Sequence, residues 1–369
     1  MAKSPGRASR AVAVRPRAES AAPGSFLPLR DRWGHFDTLA STLPPGAIAL
    51  VDRRVARAHP HVTLALRRTE PALLRTLLGG ERIKTLATAE RILAAAVKVR
   101  RGTTVIAVGG GTLGDLAAVV AHLHKRGARL VQVPTTVLAA VDSSVGGKGA
   151  VDLAGTKNAV GVFHYPVEGW ICPELFTSLS PAQVREGTIE AWKMAVCLSP
   201  GLWRQWTRTA PDLHALIRAS RRMKAQVCRV DPYERLGQRR VLNFGHTFGH
   251  VLESLSGFRI RHGDAVGIGM LCALDLGRAV GVTPDGVASE VEDALCAGPL
   301  ALGRPALARV LSRSTPARIE AILRADKKRQ SDASVTMVLL ERIGVTQIQE
   351  IEPSLWRKLL PAWRDGVRP

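Results

Sequence analysis

Short apolar runs alternate with helical periodicity through the first half of the chain, and helical periodicity dominates the second. In the first half, runs at 47–51, 61–66, 103–108 and 130–133 predict strands. Between them, 116–124 and the stretch that follows Gly79, Gly80, Glu81, Arg82, Ile83 and Lys84 as far as about 99 predict helices. Strands that alternate with helices argue a parallel, doubly wound sheet, with ligands gathering at the carboxyl ends of the strands. After Leu179-Ser180-Pro181 the short strands vanish, and breaks near Pro200-Gly201, Gly257 and Gly281 divide a helical region. Alternation returns at 335–340 and 345–348, which predicts a hairpin within the helical half. The expected organisation is a basic arm over 1–24, an α/β domain over 25–178 and a mainly α-helical domain over 179–369.

The stretch from 109 to 158 carries the densest chemistry. The 103–108 run ends in Gly109-Gly110-Gly111, then Thr112, Leu113, Gly114 and Asp115 open a helix. Glycine lets the backbone approach an anion, and the amides at a helix start point at it. The 130–133 run leads into Pro134-Thr135-Thr136 and then 141–148, Val-Asp-Ser-Ser-Val-Gly-Gly-Lys, a polar segment too rich in functional groups to be only a connection. Two such turns, with Lys148, Lys157 and Asn158 behind them, point to a polyanionic ligand. Asp52, at the end of the first strand, suits either a ribose hydroxyl or a helix N-cap.

Composition changes this picture in two places. The formal charge of +21 raises nucleic acid as a partner, but the basic residues are dispersed and no helix-turn-helix or zinc-finger spacing accompanies them, so an anionic small-molecule substrate fits better. Only eleven lysines stand against forty-one arginines, and Lys148, Lys157, Lys193, Lys224, Lys327 and Lys328 fall inside the polar motifs. A lysine in an arginine-biased chain is kept for its compact charge. The five scattered cysteines read as reduced thiols of a cytoplasmic protein, and no apolar stretch is long enough to span a membrane. The arm over 1–24, rich in Arg, Ser, Ala and Pro, reads as a disordered, solvated tail, with an organelle transit peptide as the other reading.

In the helical half, His246 and His250 lie four apart and share one helix face, followed by Arg261-His262-Gly263-Asp264, while Glu190 and Lys193 lie three apart upstream. One carboxylate and two imidazoles are the ligand set of a catalytic zinc or similar divalent ion.

These residues match a known family. The octapeptide starting at Gly109, Val-Pro-Thr-Thr at 133, the octapeptide starting at Val141, Lys157-Asn158, Leu-Asn-Phe-Gly-His-Thr-Phe-Gly-His at 242 and Asp-Lys-Lys at 326 together resemble 3-dehydroquinate synthases, within the sugar-phosphate cyclases, over about 30–350. The resemblance implies a Rossmann-like N-terminal domain and a helical C-terminal one, and the family, though no motif, implies a homodimer. It implies Glu190, His246 and His262 as ligands of a zinc or cobalt ion. NAD would be held by Asp52, Gly79, Gly80, Glu81, Arg82, Ile83, Lys84, Gly111, Thr112, Leu113, Gly114, Asp115, Thr135, Thr136, Lys148, Lys157, Leu175, Phe176, Thr177 and Ser178. Substrate would be met by Arg126, Asp142, Lys148, Asn158, Lys193, Lys224, Arg239, Asn243, His250 and one or both of Lys327 and Lys328.

The implied reaction converts a seven-carbon heptulosonate phosphate, DAHP, to 3-dehydroquinate with loss of phosphate, a step toward the aromatic amino acids. Three departures stand out. The segment from Asp231 to Asn243 is one residue longer than the usual spacing, which makes Arg240 a rival to Arg239, and Gly149 and Val151-Asp152 replace the usual threonine and Ile-Asn. The competing readings are a cyclase that makes a cyclitol of the 2-deoxy-scyllo-inosose or epi-valiolone type, a metal-dependent alcohol dehydrogenase, and a phosphate- or nucleic-acid-binding module without catalysis.

Overall fold

The computed structural model describes residues 11–12, 29–297, 300, 302–312, 314–325 and 334–369. Its strands are β1 Ala11–Val12, β2 Arg30–Trp33, β3 Ile48–Asp52, β4 Leu73–Leu77, β5 Thr104–Gly109, β6 Arg129–Pro134, β7 Lys148–Leu153, β8 Thr156–Phe163, β9 Glu168–Ile171, β10 Val335–Arg342 and β11 Val345–Ile351. In the first half the helices are α1 Phe36–Ala40, α2 Arg53–Ala58, α3 Pro60–Arg68, α4 Leu86–Ala95 and α5 Gly111–Leu123. The second half contributes α6 Pro181–Leu198, α7 Pro200–Arg208, α8 Leu213–Val230, α9 His246–Leu255, α10 His262–Ala279, α11 Asp285–Cys296, α12 Arg304–Leu311, α13 Pro316–Ala325 and α14 Pro353–Asp365.

Two compact units result. One holds the described residues of Ala18–Gly187 and Asp212–Tyr233; the other holds those of Met1–Arg17, Thr188–Pro211 and Glu234–Pro369. The division therefore falls inside α6 and not at the expected 178/179, and the N-terminal unit takes back α8. The reason is that α8 sends Arg221 and Lys224 into the turn that follows β6, with hydrogen bonds from Arg221 to Ala140 and from Lys224 to Asp142.

The sheet of the N-terminal unit is parallel, in the order β2-β9-β6-β5-β3-β4. Its central strands are buried on both faces, so they read as continuous apolar runs. Ile48, Leu50, Val105 and Ala107 face one core with α4 and α5, whereas Ala49, Val51, Ile106 and Val108 face another with α1 and α3. β7 and β8 form a separate hairpin against α5.

Two expectations are corrected here. The run at 61–66 is helix α3, because Pro60 starts it and Val62, Ala65 and Leu66 are buried at helical spacing. The strand beside β3 is instead β4, an edge strand with only Leu73 fully buried, too little alternation to announce itself.

In the C-terminal unit the expected hairpin is β10–β11, and β1 adds to it through Ala11↔Gln347 and Val12↔Thr346. This strand lies within the expected disordered arm; the rest of 1–24 lies outside the described residues. Apolar α10 is anchored through Asp275, whose carboxylate accepts from both Nη atoms of Arg304 at 2.8 and 2.9 Å and from Trp363 Nε1 at 2.8 Å. Arg304 also donates to Glu292 on α11. No described helix is long and apolar enough to cross a membrane.

Candidate functional site

In the N-terminal unit, β3, β5 and β6 end together at Asp52, Gly109 and Pro134, and a cavity of about 370 Å³ opens beyond them. Of the expected dinucleotide residues, Asp52, Gly80, Gly111, Thr112, Leu113, Thr135, Thr136 and Ser178 line it. Gly110 caps the start of α5, so the first-turn amides face this space. Asp52 is the N-cap of α2, its carboxylate accepting from Arg54 N at 2.8 Å, and the residue also lines the cavity.

The remaining expected residues sit around this cavity in other ways. Buried Lys84 places Nζ 2.7 Å from Asp115 Oδ2 and donates to Asn158 Oδ1 at 2.5 Å, while Asn158 N donates to Asp152 Oδ1 at 2.8 Å. Lys84, Asp115 and Asn158 are thus one polar network. Burial pushes the Asp115 carboxyl up, against the pull of Lys84. Gly114 packs on Gln132, whose amide donates to the Gly114 carbonyl at 3.1 Å. Ile83 packs against the α4–α5 core, and Glu81 and Arg82 are exposed beside it in a short 3-10 turn that Gly79 and Gly80 precede. Leu175 and Phe176 are buried, and Thr177 Oγ1 donates to the Glu174 carbonyl, so of 175–178 only Ser178 lines the cavity, 3.0 Å from His59 Nε2. Lys157 is exposed on β8. Sequence reasoning missed Arg54, Val55 and Ala58, which the helix after Asp52 could have flagged, and Leu138, Gln183 and Glu186, which only the fold brings here.

The turn after β6 contains a π-helix over Ala139–Ser143. Within it Asp142 Oδ1 lies 2.5 Å from Lys224 Nζ, which also donates to the Asp142 carbonyl at 2.7 Å. Lys148 is exposed at the start of β7. Arg126 is placed elsewhere: it precedes β6, so the length of that strand, roughly 16 Å, separates it from the Thr135-Thr136 end.

The C-terminal unit gathers the metal-ligating chemistry. α6 is buried along much of its length and brings in Glu190 and Lys193, each about 1% exposed, with Lys193 Nζ 2.5 Å from Glu190 Oε2. His246 opens α9 and His262 opens α10, and their Nε2 atoms lie 3.7 and 3.5 Å from Glu190 Oε1. One donor atom from each of Glu190, His246 and His262 lies within 4.8 Å of the other two, a set able to hold one divalent ion. Close approach of α9 and α10 requires Gly245: its φ is +79°, and a Cβ there would meet the Val266 carbonyl at 2.5 Å. His262 Nδ1 lies 3.3 Å from Glu253 Oε1. Burial works against charge on His262, yet the hydrogen bonds to Glu190 and Glu253 prevail and raise it to about 10 in the metal-free protein.

The His250 ring is 5.6 Å from that of His246 but outside the three-residue set. Arg239 is buried and Arg240 half-buried in the 3-10 turn Gln238–Asn243, and Asn243 is half-buried at its end. Lys327 and Lys328 lie outside the described residues.

Comparison with known proteins accounts for both units. A family model for the 3-dehydroquinate synthase N-terminal region matches 75–186, and one for the C-terminal region matches 187–329. The chain belongs to the 3-dehydroquinate synthase family. A 3-dehydroquinate synthase of Methylacidiphilum infernorum (isolate V4) is 39% identical over 280 residues, covering 75% of this chain and 76% of that one. A 2-epi-valiolone synthase of Actinosynnema mirum is 36% identical over 318 residues, 82% of each. Among solved structures, a 2-deoxy-scyllo-inosose synthase complexed with carbaglucose-6-phosphate, NAD+ and Co2+ shares the fold at TM-score 0.80 and 24% identity, covering 98% of this chain and 100% of that one. The two family models meet at 186/187, next to the division between the units.

Proposed function

We propose that this protein is a cytoplasmic 3-dehydroquinate synthase, a phosphate-eliminating lyase that converts DAHP to 3-dehydroquinate with NAD and a divalent metal. The observation that carries the reading is the convergence of Glu190, His246 and His262 in a chain of this family. When bound, NAD would accept a hydride from the carbon that bears a ring hydroxyl and return it later, and the metal would polarise that hydroxyl and favour loss of its proton. Glu190, His246 and His262 would hold the metal, with Lys193 offsetting the Glu190 charge. The cavity beyond β3, β5 and β6 would take NAD, the α5 amides facing its pyrophosphate and Asp52 a ribose hydroxyl.

Lys148, Asn158, Lys193, Lys224, Arg239, Asn243 and His250 would recognise the phosphate, carboxylate and hydroxyls of the substrate, with Asp142 orienting Lys224. Lys327 and Lys328 would add to this recognition. Arg126 stands too far from the carboxyl ends of its own sheet to join them; in the homodimer we propose from the family resemblance, it would reach substrate only from a second copy of the chain.

The test is an assay of purified protein with DAHP, catalytic NAD and a divalent metal, following phosphate and dehydroquinate together. Dehydroquinate formed in step with phosphate is the expected result. Turnover of a different sugar phosphate to a cyclitol, with DAHP inert, would overturn it in favour of the activity named for the Actinosynnema relative.

A further inference from the structure

We propose that Arg221, held by Asp31, is a positioning residue that shapes the π-helical turn and thereby aims the Asp142–Lys224 pair. This rests on the substrate role proposed above for that pair. The Arg221 side chain is about 1% exposed, and its guanidinium makes four hydrogen bonds. Nε and Nη2 donate to the two carboxylate oxygens of Asp31 at 2.8 and 2.5 Å, and Nη1 donates to the Ala140 carbonyl at 2.7 Å and to Ser144 Oγ at 2.8 Å. One planar fork therefore ties edge strand β2 to both ends of the turn, which a lysine could not do.

The turn needs such a partner. In a π-helix the wider ring sends Ser144 N to the Ala139 carbonyl, at 3.1 Å, and of the carbonyls that follow, Ala140 and Asp142 take donors from α8, Asp142 alongside Val145 N at 3.2 Å. Arg221 serves Ala140 and Lys224 serves Asp142, and because the two residues are three apart they leave α8 on the same face. A second observation points to the same arrangement. A Cβ at Gly169 would lie 2.3 Å from Arg221 Nη2 and 2.8 Å from Asp31 Oδ1, so β9 carries a glycine where the fork passes. The Arg221–Asp31 pair does not touch the cavity beyond the strand ends, so its loss should leave NAD binding alone.

The experiment compares the wild type with Arg221→Met, Arg221→Lys and the double variant Asp31→Leu/Arg221→Met, all in the full-length protein. It measures hydrogen exchange of the 139–144 amides, thermal stability, steady-state kinetics with DAHP, NAD affinity and metal content. In Arg221→Met the turn amides should exchange about tenfold faster and KM for DAHP should rise about tenfold, with kcat within about threefold and NAD affinity and metal content unchanged. Arg221→Lys should recover stability better than KM. The double variant removes the stranded carboxylate and should regain stability while keeping the fast exchange and the raised KM. Recovery of KM along with stability in the double variant would show a merely structural pair and overturn the proposal. Failure of the wild type to use DAHP would defeat the functional reading alone, because exchange in the turn needs no substrate and still decides whether Arg221 holds it: unchanged exchange in Arg221→Met refutes the proposal.

Discussion

The cavity at the strand ends and the Glu190, His246 and His262 cluster are built by opposite means. The cavity is lined by sixteen residues, six of them glycine or threonine, drawn from strand ends, the start of α5 and the segments around them. The cluster depends on three side chains, buried Glu190 and partly exposed His246 and His262, each delivered by a different helix and with no backbone substitute. A site lined by many residues spreads its binding energy over many groups, whereas a three-residue ligand set loses its function with any one of them.

The sharpest break of that contrast is His246→Ala. Loss of one of three ligands should lower turnover by about a thousandfold and release the metal on dialysis, as elemental analysis of the dialysed protein would show. Metal retained at full stoichiometry would mean that the cluster is not the binding set.

Next in size is the support behind His262. α10 starts at His262 and is anchored further along by Asp275, on which Arg304 and Trp363 converge. Arg304→Met leaves buried Asp275 with only Trp363 and the more distant Arg278, and Glu292 with Arg368, and should cost about 3 kcal/mol in denaturant unfolding. Burial favours the neutral Glu292 carboxyl, but Arg304 and Arg368 hold it below its ordinary value. The Glu292 contribution is therefore complete above the unfolded carboxylate range and is lost as the pH falls through the lower folded value. Stability against pH should be flatter on the acid side in Arg304→Met than in the wild type; parallel acid limbs would remove Glu292 from the account.

The same contrast explains what could be read from the sequence. The glycine run at 109–111 and the apolar strands at 48–52, 104–109 and 129–134 announce themselves locally, because backbone sites leave a composition signature. The set of Glu190, His246 and His262 follows from family resemblance: spacing alone favours His246 with His250, which share a helix face, and only the packing of α10 against α9 brings His262 to Glu190 instead. Helix α3 was misread because six apolar-leaning residues fit either period. The return of α8 to the N-terminal unit was invisible, since Arg221 and Asp31 are 190 positions apart and neither belongs to a motif.

On the cavity side the effects should be smaller. Asp52→Ala removes an N-cap, worth about 1 kcal/mol, and one of many cavity groups. NAD affinity, measured by calorimetry, should fall about tenfold with metal content untouched. A loss as large as that from His246→Ala would erase the contrast between the two sites.

The smallest effect is expected from a segment outside both. Removing residues 1–20 deletes β1 and leaves β11 as an edge paired with β10 alone. The lost ladder hydrogen bonds are offset by the chain entropy regained, so stability should change by less than about 1 kcal/mol. Among the described residues, none of this segment belongs to either site, so kcat and the KM for DAHP should stay at wild-type values in the assay that follows phosphate and dehydroquinate. A fall in kcat with stability intact would show that the strand laid along β11 does more than complete a sheet edge. The helical unit would then depend on its margin as well as on its buried ligands.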